Sequence, residues 1–253
     1  MKNFVAILAL SLFAFSCGNK DTQTTQRPEK NNHIFVFFDK TQSVETDNTF
    51  VRNKYQMALK ELIDNYIQKE GDRLDVYYIH ENTSKAKVLS VTSRTTKENT
   101  EGLNATDLEA ANTTYQMSIG RERKMILDAA LQKMLEKNTG ASNAETNITA
   151  SVPLLSRALD GGKNVLAFYF SDMVESMKAG RDFHKVAPIS HDQAEEWAKA
   201  DAGKQTGANL AGSAVKIVLP FEPTSSTKEN NPNVSDYWKV YFEALGVNSV
   251  EEI

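Results

Sequence analysis

Beyond residue 32 the chain consists of short apolar runs separated by longer amphipathic or polar stretches. The first run, Ile34-Phe35-Val36-Phe37-Phe38, has no polar interruption. Asn164–Phe170 (NVLAFYF) and Ala214–Pro220 (AVKIVLP) are of the same kind, and Leu74–Ile79 (LDVYYI) is close to it. Such runs suit strands buried on both faces of a parallel sheet, because a half-exposed strand would alternate. Lys87–Ser93 (KVLSVTS) does alternate and is read as a shorter, antiparallel edge strand.

Between the runs, Thr49–Gln68 carries Val51, Tyr55, Ala58/Leu59, Leu62/Ile63 and Tyr66/Ile67 at helical spacing. Asp47 or Asn48 supplies its cap, and Gly71 its end. Thr95–Thr114 is polar and without period, which predicts a loop. Tyr115–Lys137 regains helical character, with Met117 and Met134 as core filling. Further helices are predicted after Ala150 through Leu159, with Pro153 in the first turn, and over His191–Ala200 and Val234–Leu245. Trp238, Tyr241/Phe242 and Leu245 form the inner face of the last, and Gly246 stops it. Strand, helix, strand implies a crossover between parallel strands. The expected fold class is therefore α/β: three layers, a doubly wound and mostly parallel sheet, and helices on both faces.

Candidate chemistry sits where the apolar runs end. The first delivers Asp39-Lys40-Thr41-Gln42-Ser43, and the 164–170 run delivers Ser171-Asp172. The carboxyl ends of parallel strands are where open α/β sheets bind ligands. Asp39, Thr41 and Ser43 alternate, so an extended segment points all three the same way. One carboxylate and two hydroxyls are hard oxygen donors of the kind Mg²⁺, Ca²⁺ or Mn²⁺ prefers. Taken alone the pentad has a second reading, in which Asp39 or Ser43 merely caps the next helix. Thr146, in Glu145-Thr146-Asn147-Ile148, precedes a helix amino terminus in a third loop.

The amino terminus has another purpose. Lys2 is followed by the apolar stretch Phe4–Phe15, too short to span a membrane but suited to a signal peptide. Cys17, the single cysteine of the chain, stands at the expected cleavage point. The segment resembles a bacterial lipoprotein signal, with Ala14 where Leu is commoner, and implies lipid on Cys17. The alternative is an ordinary secreted protein with a free thiol. Residues 18–32 (GNKDTQTTQRPEKNN) hold no large apolar residue and read as a tether. The organisation is thus a signal peptide over 1–16, a lipidated tether over 17–32 and one domain over 33–253. The expected location is the bacterial cell envelope, periplasmic or cell-surface, with the outer membrane favoured. The net charge of −4, or −5 once Lys2 leaves with the signal, gives no electrostatic reason to bind nucleic acid.

Asp39-x-Thr41-x-Ser43, then Thr146, then Asp172 after a later strand, resembles the von Willebrand factor A (vWA) domain and its metal-ion-dependent adhesion site. The resemblance spans His33 to about Leu245. It implies a divalent metal held by Asp39, Thr41, Ser43, Thr146 and Asp172. It also implies a partner protein that offers a carboxylate to that metal. Thr41 replaces the usual Ser and Met173 the usual Gly, and Glu45, Asp47, Glu145 and Glu175 bring extra charge near the site. The competing class is a metal-dependent hydrolase. A haloacid-dehalogenase-like phosphatase would need an acid at Thr41, and neither Gly161-Gly162-Lys163 nor Gly203-Lys204-Gln205 forms a phosphate loop. His33, His80, His184 and His191 are too scattered for a zinc set. A metal-independent architectural role in an envelope complex is the third reading.

Overall fold

A computed structural model describes residues 30–253 apart from 42, 45–46, 138–143 and 222–229. The expected signal peptide, Cys17, the expected tether up to residue 29 and Glu45 lie outside the described residues. The strands are β1 (Asn32–Asp39), β2 (Arg73–Ile79), β3 (Lys87–Thr92), β4 (Asn164–Phe170), β5 (Ala214–Val218) and β6 (Ser249–Glu252). The helices are α1 (Thr49–Tyr66), α2 (Ala105–Leu135), α3 (Val152–Asp160), α4 (His191–Ala202) and α5 (Pro232–Ala244). One sheet takes the order β3-β2-β1-β4-β5-β6. All pairs are parallel except β2 with β3, as expected for the alternating edge strand.

Strict alternation along the central strands makes the three layers. Ile34, Val36, Phe38, Leu74, Val76, Tyr78, Leu166, Phe168 and Phe170 pack beneath α1 and α2. Their neighbours Phe35, Phe37, Tyr77, Ile79, Val165, Ala167 and Tyr169 pack with α3, α4 and α5. Both faces are buried, which is why these strands read as continuous apolar runs. From β1 the chain turns toward β2, and from β4 toward β5. The strand order thus reverses between β1 and β4, and a crevice opens outside their carboxyl ends.

Four sequence expectations are corrected. Helix α1 ends at Tyr66, short of Gln68, because the N–H groups of Gln68 and Lys69 bond to the buried Asp72 carboxylate at 2.8 and 3.0 Å. Gly71, at φ +86°, shapes the turn into β2 instead. Helix α2 begins at Ala105, so ten residues of the expected loop are helical. Asn104 caps it through the Asp107 N–H (3.0 Å), and its amide donates to the Asp107 carboxylate (2.7 Å). Residues 105–110 are exposed, so no core imposed an apolar period there. Met134 fills the core as expected, but Met117 is exposed. Strand β6, parallel to β5, was not expected at all; two of its four residues are Glu.

Candidate metal centre at the carboxyl edge of the sheet

Asp39 is the last residue of β1 and is 1% exposed. One of its carboxylate oxygens accepts the Thr41 N–H at 2.9 Å and the Thr41 hydroxyl at 2.6 Å. The other accepts the Ser171 hydroxyl at 2.6 Å. Thr41 Oγ1 and Ser43 Oγ are 3.2 Å apart. The alternation within the pentad is enforced by Lys40, which turns away from this cluster. Its Nζ donates to the carbonyls of Met134 (2.6 Å) and Glu136 (2.7 Å) at the end of α2. There it sits 5.0 Å above the Tyr78 ring and meets the negative pole of the helix. The reading of the pentad as a cap does not hold for the described residues, since Asn48 caps α1 through the Phe50 N–H at 2.8 Å.

Asp172 follows β4 by two residues and is also buried. Its carboxylate accepts the Val174 N–H at 3.0 Å. The turn beyond it depends on Met173, which at φ +60° is the non-glycine residue in the left-handed region among those described. The Met173 N–H donates to Ser171 Oγ (2.9 Å), and its carbonyl accepts the Trp238 indole N–H (2.6 Å). The carbonyl also accepts the Glu175 N–H at 3.1 Å, so a buried side chain and three bonds hold a conformation that glycine would adopt without strain.

Thr146 is buried on the adjoining loop, joined to Ser176 by two backbone hydrogen bonds of 3.0 Å. Glu175 braces the same loop rather than facing the aspartates. It accepts the Ile148 N–H at 2.6 Å and the Thr149 hydroxyl at 3.0 Å, and burial pushes it up to about 8. Glu145 is ion-paired with Lys178 at 2.8 Å, and Asp47 is exposed. His33 bonds to Asp75, His80 is buried in the turn after β2, and His191 bonds to Asp236. His184 lines the cleft described next.

The electrostatics of the paired acids are distinctive. Burial, and then the charge of Asp172, push Asp39 up to about 6, against the pull of Ser171 and Thr41. Burial raises Asp172 as well, opposed by the Val174 N–H and Ser43. Among the described residues neither acid has an ion pair. Two buried carboxylates flanked by hydroxyls, with the Lys40 ammonium feeling Asp39 but bonded elsewhere, fit a hard divalent ion. A cleft of about 410 Å³ opens beside them, lined by Ser43, Asp172, Phe183, His184 and Phe221 among others.

Two residues of this edge were missed in the sequence. Ser171, directly before Asp172, bridges Asp39 to the Met173 turn. Lys40 stood inside the motif, but its orientation depends on the end of α2, 94 residues away.

No protein-family model and no curated protein matches the sequence. Among solved structures, the manganese-loaded TRAP protein of Plasmodium vivax is 10% identical, with 81% of this chain and 62% of that chain covered, at a TM-score of 0.36. A von Willebrand factor type A protein of Catenulispora acidiphila is 13% identical over 86% of this chain and 41% of its own, at 0.34. Proximal thread matrix protein 1 of the mussel byssus, with a zinc-occupied MIDAS motif, is 13% identical over 86% and 48%, at 0.37. The chain spans less than two thirds of each of these. The fold rests on the strand order and registers above. Those are the doubly wound, mostly parallel sheet with one antiparallel edge that the vWA resemblance implied.

Proposed function

We propose that this chain is a lipid-anchored, extracytoplasmic vWA-like domain that binds a partner protein through a divalent metal. The observation that carries this reading is the meeting of Asp39 and Asp172 at the strand-order reversal, buried, mutually repelling and surrounded by hydroxyls. Asp39, Thr41, Ser43, Thr146 and Asp172 would hold Mg²⁺, or Mn²⁺ or Ca²⁺. The ion would supply positive charge and an open coordination position for a carboxylate of the partner. One metal bond beside water is weak, so affinity would come from the surrounding surface. Residues 173–190 run along that surface and contribute Val174, Phe183, His184 and Ala187 to the cleft wall, which makes this segment the proposed source of specificity. Lipid on Cys17 would place the domain at the cell envelope. The reading is of binding without turnover, since Thr41 stands where a haloacid-dehalogenase-like hydrolase would need its second acid.

The test is titration of the wild-type protein and Asp39→Ala with Mg²⁺, Mn²⁺ and Ca²⁺, by calorimetry and thermal unfolding. Saturable binding that raises the wild-type midpoint and is lost in the variant is expected. A folded wild-type protein that binds none of the three overturns the metal reading and leaves the metal-independent architectural one.

A further inference from the structure

Tyr55 lies on α1 and is 1% exposed, yet its hydroxyl is buried with no hydrogen-bond partner among the described residues. Buried phenol oxygens are nearly always bonded, and one left alone costs stability, so an orphan calls for an explanation. Its position supplies one. The ring packs edge-on against Phe170 with centroids 5.1 Å apart, and Phe170 packs against Phe38 at 5.1 Å. Phe38 directly precedes Asp39, and Phe170 is two residues before Asp172. The charges that act on the Tyr55 hydroxyl are those of Asp39 and then Asp172. The ring therefore packs on the aromatic residues that lead into the paired acids, on the side where α1 covers the sheet, with its hydroxyl within reach of both charges.

Resting on the metal reading above, we infer that Tyr55 is a positioning residue of the metal centre. Its hydroxyl would donate to a carboxylate oxygen or to a water held between the acids and the ion. Groups that orient ligands in this way change metal affinity by about 10- to 100-fold when removed. Tyr241 is the other orphaned buried hydroxyl among the described residues and serves as a control. The groups that act on it are Glu175, Tyr169 and the Gln205 side chain, whose approach falls short of a full hydrogen bond, in the layer of α3, α4 and α5 on the far side of the sheet from α1.

The inference is tested with Mn²⁺ binding by calorimetry and with unfolding in chelator, on wild type, Tyr55→Phe and Tyr241→Phe. Tyr55→Phe should bind Mn²⁺ about tenfold more weakly, while its metal-free unfolding midpoint is unchanged or higher because an unsatisfied hydroxyl is gone. Tyr241→Phe should bind like wild type. Wild-type affinity in a folded Tyr55→Phe overturns the inference and leaves the metal reading standing. Absence of binding in wild type overturns the metal reading and the inference with it. Equal weakening in both variants shows a packing effect and also overturns it. Should Tyr55→Phe fail to fold, wild-type protein carrying ¹³Cζ-tyrosine decides the matter. Saturating Mg²⁺ must move the resonance of a buried tyrosine, and an unmoved spectrum is against the inference.

Discussion

Asp75 and Asp39 are both 1% exposed and lie on neighbouring strands of one sheet, in opposite surroundings. Asp75 meets His33 Nε2 at 3.1 Å, Arg73 Nε at 2.9 Å and Lys87 Nζ at 2.9 Å. Burial raises its carboxyl, but the bonds from His33, Arg73, Ser90 and Lys87 outweigh burial and hold it well below the usual range. Asp39 has hydroxyls and an N–H for partners and a second carboxylate for a neighbour, and it is pushed up. The first is a buried charge completed by the fold. The second is a buried charge that the fold leaves to be completed by something else. Stability explains Asp75; around Asp39 and Asp172 no fold partner supplies a counter-charge by an ion pair among the described residues, and the proposed cation is what would complete them.

The sharpest way to break this contrast is Asp75→Asn. Losing three charge-assisted bonds should cost about 3 kcal/mol in denaturant unfolding, limited by the partial exposure of Arg73 and Lys87. A change near zero would mean that the pairing is incidental. The pH dependence has a definite sign. Because the folded carboxyl is depressed, its contribution is full above the ordinary value of 3.8 and is lost as pH falls from there toward the lower folded value. Wild type should therefore lose more stability in that acid range than Asp75→Asn does.

Trp238→Phe comes next in size. It strips the Met173 carbonyl of its buried indole partner, which should cost about 2 kcal/mol and weaken metal binding by loosening the turn after Asp172. Unchanged metal affinity would detach that turn from the site. Asp39→Asn should run in the opposite direction to Asp75→Asn. In chelator at neutral pH it should be more stable than wild type by about 1–2 kcal/mol, because one of two repelling buried charges is gone. Marked destabilisation there would erase the distinction between the two acids. Smallest is the order of two substitutions at Met173. Both lose a buried side chain, but glycine relieves the φ of +60°, so Met173→Gly should be about 1 kcal/mol more stable than Met173→Ala. Urea unfolding of the pair is enough, and the usual Ala-over-Gly order would argue against strain.

The fold class, the four buried parallel strands and the antiparallel edge were legible in the chain alone. Burial on both faces leaves a mark in composition that needs no knowledge of neighbours. The sequence also located Asp39, Thr41, Ser43 and Asp172 at strand ends, because a polar cluster after a buried run is a local signal. Helix α2 shows the limit of that approach. Residues 105–110 are capped and solvent-facing, so the period that reveals a helix was missing although the helix forms. Strand β6 was missed for a related reason: at an outer edge with two glutamates, nothing forces an apolar run. Tertiary contacts alone send Lys40 from the cluster to the end of α2, set Glu175 against the Thr146 loop, bond Ser171 to Asp39 and pack Tyr55 on Phe170. Each of these depends on groups distant in sequence brought within a few ångströms, and neither periodicity nor motif spacing carries that distance.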